Sequence, residues 1–157
     1  TKFTHVNISS KAVEVLAKHP NIIGMKDSSG SIPQLVDFKK VIGCEEFNIM
    51  VGTASAWFPA LTLGIEASVM ALANCCPQEC IDVQKKFDNG DVENSRELYE
   101  RVFSVNSAVT GTFGIAGLKY ACTILGFNGG YVRKPLLQLK EDEKVKLKDI
   151  LANSKLI

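Results

Sequence analysis

Lys26 closes the run NIIGMK (21–26) and is followed at once by Asp27-Ser28-Ser29-Gly30. The β-branched pair Ile22 and Ile23 reads as a short buried strand. A lysine at the end of such a strand is costly unless it pairs, snorkels to water or does chemistry. A strand that ends in a lysine and then a small polar loop is where an α/β barrel keeps its reactive groups. The second group of chemically capable residues is the cluster Cys75-Cys76-x3-Cys80. Its spacing invites a metal, but it lacks the paired CxxC and nearby histidine of zinc sites. These thiols read as small buried hydrophobes, and no metal is expected. Cys44 and Cys122 bring the count to five, an odd number with no disulfide pattern. Reduced thiols in an intracellular protein follow from that.

The elements that must position Lys26 alternate along the first half of the chain. Ser9 or Ser10 caps a helix over 11–18, with Ala12, Val13, Val15, Leu16 and Ala17 as its apolar side. The strand 22–26 follows. Ser29 or Ser31 caps a second helix, with Pro33 in its first turn and Leu35, Val36, Phe38 and Val41 near helical spacing. Gly43 ends it. A strand over 47–51 is closed by Gly52, a helix over 54–63 ends at Gly64, and a buried strand spans 67–73. A helix over 77–87 is ended by Asp88-Asn89-Gly90. This alternation predicts a parallel sheet with helical crossovers, its short apolar strands covered on both faces. After Gly90 only helices are expected: 92–109, 115–125 and 141–152, the last with Leu147, Ile150 and Leu151 as its apolar side. Residues 1–90 form the β/α part and 91–157 a helical extension of the same domain. Three strands do not close a barrel, since eight are needed. The open edges predict pairing with something else, as in the latter part of a larger domain.

Composition narrows the function classes. The chain has 157 residues, 46% hydrophobic and 22% charged, which suits a globular domain with a real core. Its formal net charge of +1 gives no reason to expect nucleic acid or an anionic membrane. No apolar run approaches the roughly 18–20 residues of a membrane span, and the first residues lack the apolar core of a secretory signal.

Three segments carry a resemblance to a known family. NIIGMKDSSG (21–30) resembles the Schiff-base lysine segment of the dihydrodipicolinate synthase and N-acetylneuraminate lyase family of class I aldolases. VGTASAWFPALTLGIEASVMALAN (51–74) is similar to that family's seventh strand, helix and eighth strand. FGIAGLKYACTILGFNGGYVRKPL (113–136) looks like its tail helices. The match runs in order along nearly the whole chain. It implies the latter part of a (β/α)8 TIM barrel, strands 6–8 with their helices, followed by a C-terminal helical tail.

The resemblance makes Lys26 the covalent nucleophile, forming an imine with the keto group of pyruvate or another 2-oxo acid. The amine must be neutral to attack, so its ordinary value near 10.4 has to fall by several units. Desolvation inside a barrel would achieve that. No cofactor or metal is required. Gly52 would keep the approach to the imine open, or is a plain turn glycine. Val69 would lie against the pyruvyl group, or is barrel core. Ser28 and Ser29 would hydrogen-bond substrate hydroxyls, or cap the helix. Asn74 reads as a loop-positioning residue, His5 and His19 as structural or surface residues, and Tyr120 and Tyr131 as packing or interface residues.

Departures from the family pattern are as informative. The threonine-rich loop that holds the substrate carboxylate and the tyrosine that moves the proton find no match in these residues. The synthases carry an arginine shortly after that tyrosine, where this chain has Phe3, before Thr4. THVNIS (4–9), KDSSG (26–30) and NSAVTGTFGIAGLK (106–119) resemble the 4-hydroxy-2-oxoglutarate and 2-keto-3-deoxy acid aldolases. The leading expectation is a pyruvate-dependent aldolase that cleaves a 4-hydroxy-2-oxo acid to pyruvate and an aldehyde. The alternatives are condensation of pyruvate with an aldehyde, as in dihydrodipicolinate synthesis, or a non-catalytic half-barrel that needs a missing N-terminal half. The family implies a homo-oligomer, often a tetramer. The expected compartment is the cytoplasm, or the mitochondrion for a eukaryotic source.

Overall fold

The structure is a computed structural model that describes residues 4–157. It is a mixed α/β chain that divides into two compact units, one ending at Met70 and the other spanning Ala71–Ile157.

The first unit holds a three-stranded parallel sheet with strand order β1-β2-β3. Helix α1 (Ser10–Ala17) is capped by the Ser9 hydroxyl, which accepts the Ala12 N–H. Strand β1 is Gly24–Asp27, α2 is Ile32–Ile42, β2 is Asn48–Val51, α3 is Ala54–Leu61 and β3 is Ala67–Ser68. Ser31 caps α2 by accepting the Gln34 N–H at 3.2 Å, and Pro33 sits in its first turn. Gly43 ends that helix at φ +60°, a conformation in which a side chain would be strained. Helix α1 packs on α2, and α3 packs on β2 and α2.

The strands are shorter than the apolar runs of the sequence suggest. Ile22 and Ile23 precede β1 rather than forming it, and Ile23 is exposed. Only alternate strand residues are buried. Asp27, Ile49 and Val51 are buried, whereas Lys26, Asn48 and Ala67 are exposed. The sheet is therefore covered on one face among the described residues, not on both. In α1 the buried positions are Val13 and Ala17, four apart, while Val15 turns to solvent. In α2 they are Leu35, Phe38 and Ile42, while Val36 is exposed. Helix α3 stops at Leu61, two residues early. The run 67–73 is not one strand: β3 ends at Ser68, and Leu72–Asn74 is a single 3₁₀ turn.

The second unit is helical: α4 (Pro77–Asp88), α5 (Val92–Ser107), α6 (Gly114–Ile124) and α7 (Glu141–Asn153). Helices α4 and α5 are the most extensively packed pair, pinned by the buried Ser95 hydroxyl donating to the Val83 carbonyl at 2.7 Å. Leu147 and Leu151 carry α7 into the core, with Ile150 half-buried. Helix α5 does not run on to 109. It passes at Ala108 into a π-helical turn, Ala108–Thr112, where the Thr110 hydroxyl donates to the Asn106 carbonyl at 2.6 Å. A side-chain donor competing for a helix carbonyl favours such a local change of pitch.

Candidate active site

Parallel pairing sets the register of the strand ends. Lys26 pairs with Met50 and Asp27 with Val51, and Met50 pairs with Ala67 and Val51 with Ser68. The ladder continues one residue further, with Gly52 N–H on the Asp27 carbonyl at 2.7 Å and Val69 N–H on the Val51 carbonyl at 2.8 Å. Side chains alternate along a strand, and paired residues point the same way. Lys26, Met50 and Ala67 thus share one face, with Ser28, Gly52 and Val69 in the next row beyond them. Asp27, Val51 and Ser68 point to the other face. All four expected site residues, Lys26, Ser28, Gly52 and Val69, come together on the open face at the carboxyl ends of the strands.

Gly52 is where the packing is tightest. A Cβ placed on it would stand 1.9 Å from Ser28 Oγ, 2.8 Å from Ser28 Cβ and 2.7 Å from Lys26 Cε. Real Cβ atoms do not approach that closely, so only glycine fits while Ser28 and Lys26 stay where they are. The absent side chain leaves the space through which Lys26 extends.

Lys26 and Ser28 are exposed. The burial expected around the lysine is not supplied by the described residues. An open cavity of about 390 Å³ lies beside Lys26, lined by Met25, Lys26, Asp27, Ser28 and Gln34 together with Thr4, Val6, Asn7 and Ile8.

A polar network behind Lys26 escaped the sequence reading. Asp27 is only 6% exposed. Its carboxylate accepts the Ser29 N–H at 3.1 Å, the Ser29 hydroxyl at 2.6 Å and the Gln34 side-chain amide at 3.1 Å. The Gln34 amide also exchanges two hydrogen bonds with Asn7, at 2.6 and 3.3 Å. The Ser29 hydroxyl in turn accepts the Ser31 N–H at 3.1 Å. The Asp27-x-Ser29 spacing signals an Asx turn, and it was the one sequence clue. Ser29 therefore serves the turn, Ser31 the helix cap, and Ser28 alone of the three faces Lys26.

The remaining singled-out residues lie elsewhere. Asn74 closes the 3₁₀ turn, its side chain donating to the Ala71 carbonyl at 3.1 Å. His5 and His19 are exposed, and His19 Nδ1 accepts the Asn21 N–H at 3.2 Å. Tyr120 lies under Lys144, whose Nζ is 5.8 Å from the ring centroid. Tyr131 is 84% exposed, which fits no packing role among the described residues. Phe3 lies outside the described residues.

Cys75, Cys76, Cys80 and Cys122 are buried and Cys44 is exposed. Cys76 donates to Cys75 Sγ at 3.8 Å, which lowers the Cys75 thiol and, with burial, pushes Cys76 far up. Burial, helped by the nearby Cys75 and Glu79, pushes Cys80 up to about 12. No group of three or more His, Cys, Asp or Glu among the described residues could hold a metal ion. No described helix is long and apolar enough to cross a membrane.

A parallel β/α sheet with a lysine, a serine and a close-packed glycine gathered at its carboxyl edge places the chain among α/β proteins, and strand ends of that kind are where α/β barrels carry their active sites. The chain belongs to the dihydrodipicolinate synthetase family, whose model matches residues 1–154. It is 30% identical over 149 residues to a 4-hydroxy-tetrahydrodipicolinate synthase of Methanospirillum hungatei, covering 95% of this chain and 51% of that protein. An uncharacterized DapA-like lyase of Halobacterium salinarum is 31% identical over 146 residues, covering 93% and 47%. The crystal structure of a putative dihydrodipicolinate synthase from Thermus thermophilus superposes with a TM-score of 0.84 at 29% identity, covering 99% of this chain and 54% of that one. The chain spans about half the length of the relatives it matches, as expected for a C-terminal half of the family.

Proposed function

We propose that this chain is the lysine-bearing half of a pyruvate-dependent class I aldolase, a carbon–carbon lyase acting on a 4-hydroxy-2-oxo acid through a Schiff base on Lys26. The observation that carries the reading is the meeting of Lys26 and Ser28 over Gly52, where a single added Cβ would collide with both. In the cycle, neutral Lys26 Nζ attacks the C2 carbonyl. A C–N bond forms, and the carbonyl oxygen leaves as water with both amine hydrogens. Protonated at nitrogen, the imine takes up the electron pair of the breaking C3–C4 bond. The 4-hydroxyl gives its proton to a base, and the aldehyde departs. The enamine is then protonated at C3, and water releases pyruvate. Val69 would flank the pyruvyl methyl side, and Ser28 would hydrogen-bond a substrate oxygen. No metal takes part.

In this reading residues 1–90 supply strands 6–8 of a (β/α)8 barrel with their helices, and 91–157 its helical extension. The missing strands would cover the open face of the sheet and desolvate Lys26. The working protein would be a cytoplasmic homo-oligomer, a tetramer by family resemblance. A chain that holds the nucleophile without the carboxylate cradle or proton-moving tyrosine would turn over very slowly alone. Robust aldol cleavage by the purified 157-residue chain would contradict that half-barrel view.

The names of the relatives favour a second reading, condensation of pyruvate with aspartate semialdehyde. Phe3, at the position where synthases carry arginine, speaks against it. Assaying the full-length protein separates the two. Pyruvate release from 4-hydroxy-2-oxoglutarate without condensation supports the aldolase. Condensation without that cleavage overturns it.

A further inference from the structure

We infer that Asp27 is a positioning residue for Lys26, acting from the opposite face of the sheet through Ser29 and Gln34. The inference rests on the imine reading of Lys26 given above.

A buried carboxylate is usually met by a cation or by several hydrogen bonds. Asp27 has the second arrangement, with three neutral donors from two residues. Both Ser29 bonds close the chain back on itself directly after β1. They fix the backbone on either side of Ser28, whose side chain is thereby set against Gly52 and beside Lys26 Cε. The Gln34 bond joins this turn to the first turn of α2, which Ser31 caps.

Gln34 then reaches Asn7, which lines the same cavity as Lys26. One carboxylate thus ties together the strand end that carries the lysine, the loop that carries Ser28 and, through Gln34, the segment that holds Asn7. Strand alternation turns the Asp27 side chain to the face opposite Lys26, and all its oxygens' partners are protein donors, so it is placed to position the amine and not to react. Its contribution is to hold the attacking amine and its serine neighbour in one geometry. A displacement of about 1 Å at such a site costs on the order of 10²-fold in rate.

The test uses the full-length protein and the rate of borohydride-trapped adduct formation with pyruvate. Thermal unfolding is followed in parallel. Asp27→Ala should slow trapping at saturating pyruvate at least tenfold per folded molecule. The half-saturating pyruvate concentration should move less than threefold, because the carboxylate-binding groups are untouched. Asp27→Asn keeps an acceptor for Ser29 N–H and Gln34, and should recover the rate to within about threefold of wild type. Gln34→Ala and Ser29→Ala each remove part of the network, and should slow trapping severalfold even if Asp27→Ala does not fold.

Wild-type trapping rates in folded Asp27→Ala, or in both Gln34→Ala and Ser29→Ala, overturn the inference while leaving the imine reading intact. Loss of thermal stability with no change in rate does the same. Absence of a Lys26 adduct in the wild-type protein overturns the imine reading instead.

Discussion

Replacing Gly52 by alanine isolates the steric argument at the site. The new Cβ would begin 1.9 Å from Ser28 Oγ and 2.7 Å from Lys26 Cε. Reaching even 3.0 Å from the hydroxyl requires a shift of about 1.1 Å, and the lysine chain must move as well. Ser28 and Lys26 are exposed and can swing away. The cost to folding is therefore at or below the low end of the ~1–3 kcal/mol typical of overpacking. It is partly offset by the ~0.4–1 kcal/mol gained when alanine restricts the unfolded chain. The cost to chemistry is larger, since a displacement of this size at a reacting amine lowers rate by about 100-fold. The variant should fold with a near-normal melting temperature and form the trapped pyruvate adduct roughly 100-fold more slowly. Adding Ser28→Gly removes two of the three short contacts and should restore part of the rate. A Gly52→Ala protein that traps pyruvate at the wild-type rate would refute the steric reasoning.

Other consequences concern stability. Leu147→Ala removes a fully buried side chain of α7 and should lower the unfolding free energy by about 2–5 kcal/mol in urea titrations. Val145→Ala, on the exposed side of the same helix, should change it by less than about 0.5 kcal/mol. The Cys80 thiol is raised from 9.0 to about 12 in the folded protein, so its stabilising contribution is complete below pH 9. It is lost as pH rises toward 12, because the unfolded chain gives up the proton first. Unfolding free energy should fall over that window, and less steeply in Cys80→Val.

The sequence carried more of the site than of the elements around it. Lys26 and its loop stood out because an apolar run ending in lysine and small polar residues is a local pattern. Gly52 followed from its place at the end of a strand. The alternation of helices and strands gave a parallel sheet because each crossover was marked by its own cap or glycine. Other features escaped for physical reasons. The apolar run 67–73 has no period that separates a strand from a turn, and most of it lies beyond the two residues of β3. The apolar strands looked doubly covered, but burial depends on what packs against each face. The Asp27–Gln34–Asn7 chain joins residues up to 27 positions apart, and no local spacing encodes it. The π-helical turn coincides with the Thr110 hydroxyl reaching back to the Asn106 carbonyl, a bond that helix propensity does not reveal.

The central claim is that the Lys26 amine attacks a 2-oxo acid. Borohydride reduction of the full-length protein with pyruvate, followed by peptide mass mapping, tests it most directly. One reduced pyruvyl adduct per chain is expected, on the peptide that contains Lys26, and none in Lys26→Ala. No adduct under saturating pyruvate, or an adduct on a peptide without Lys26, would contradict it.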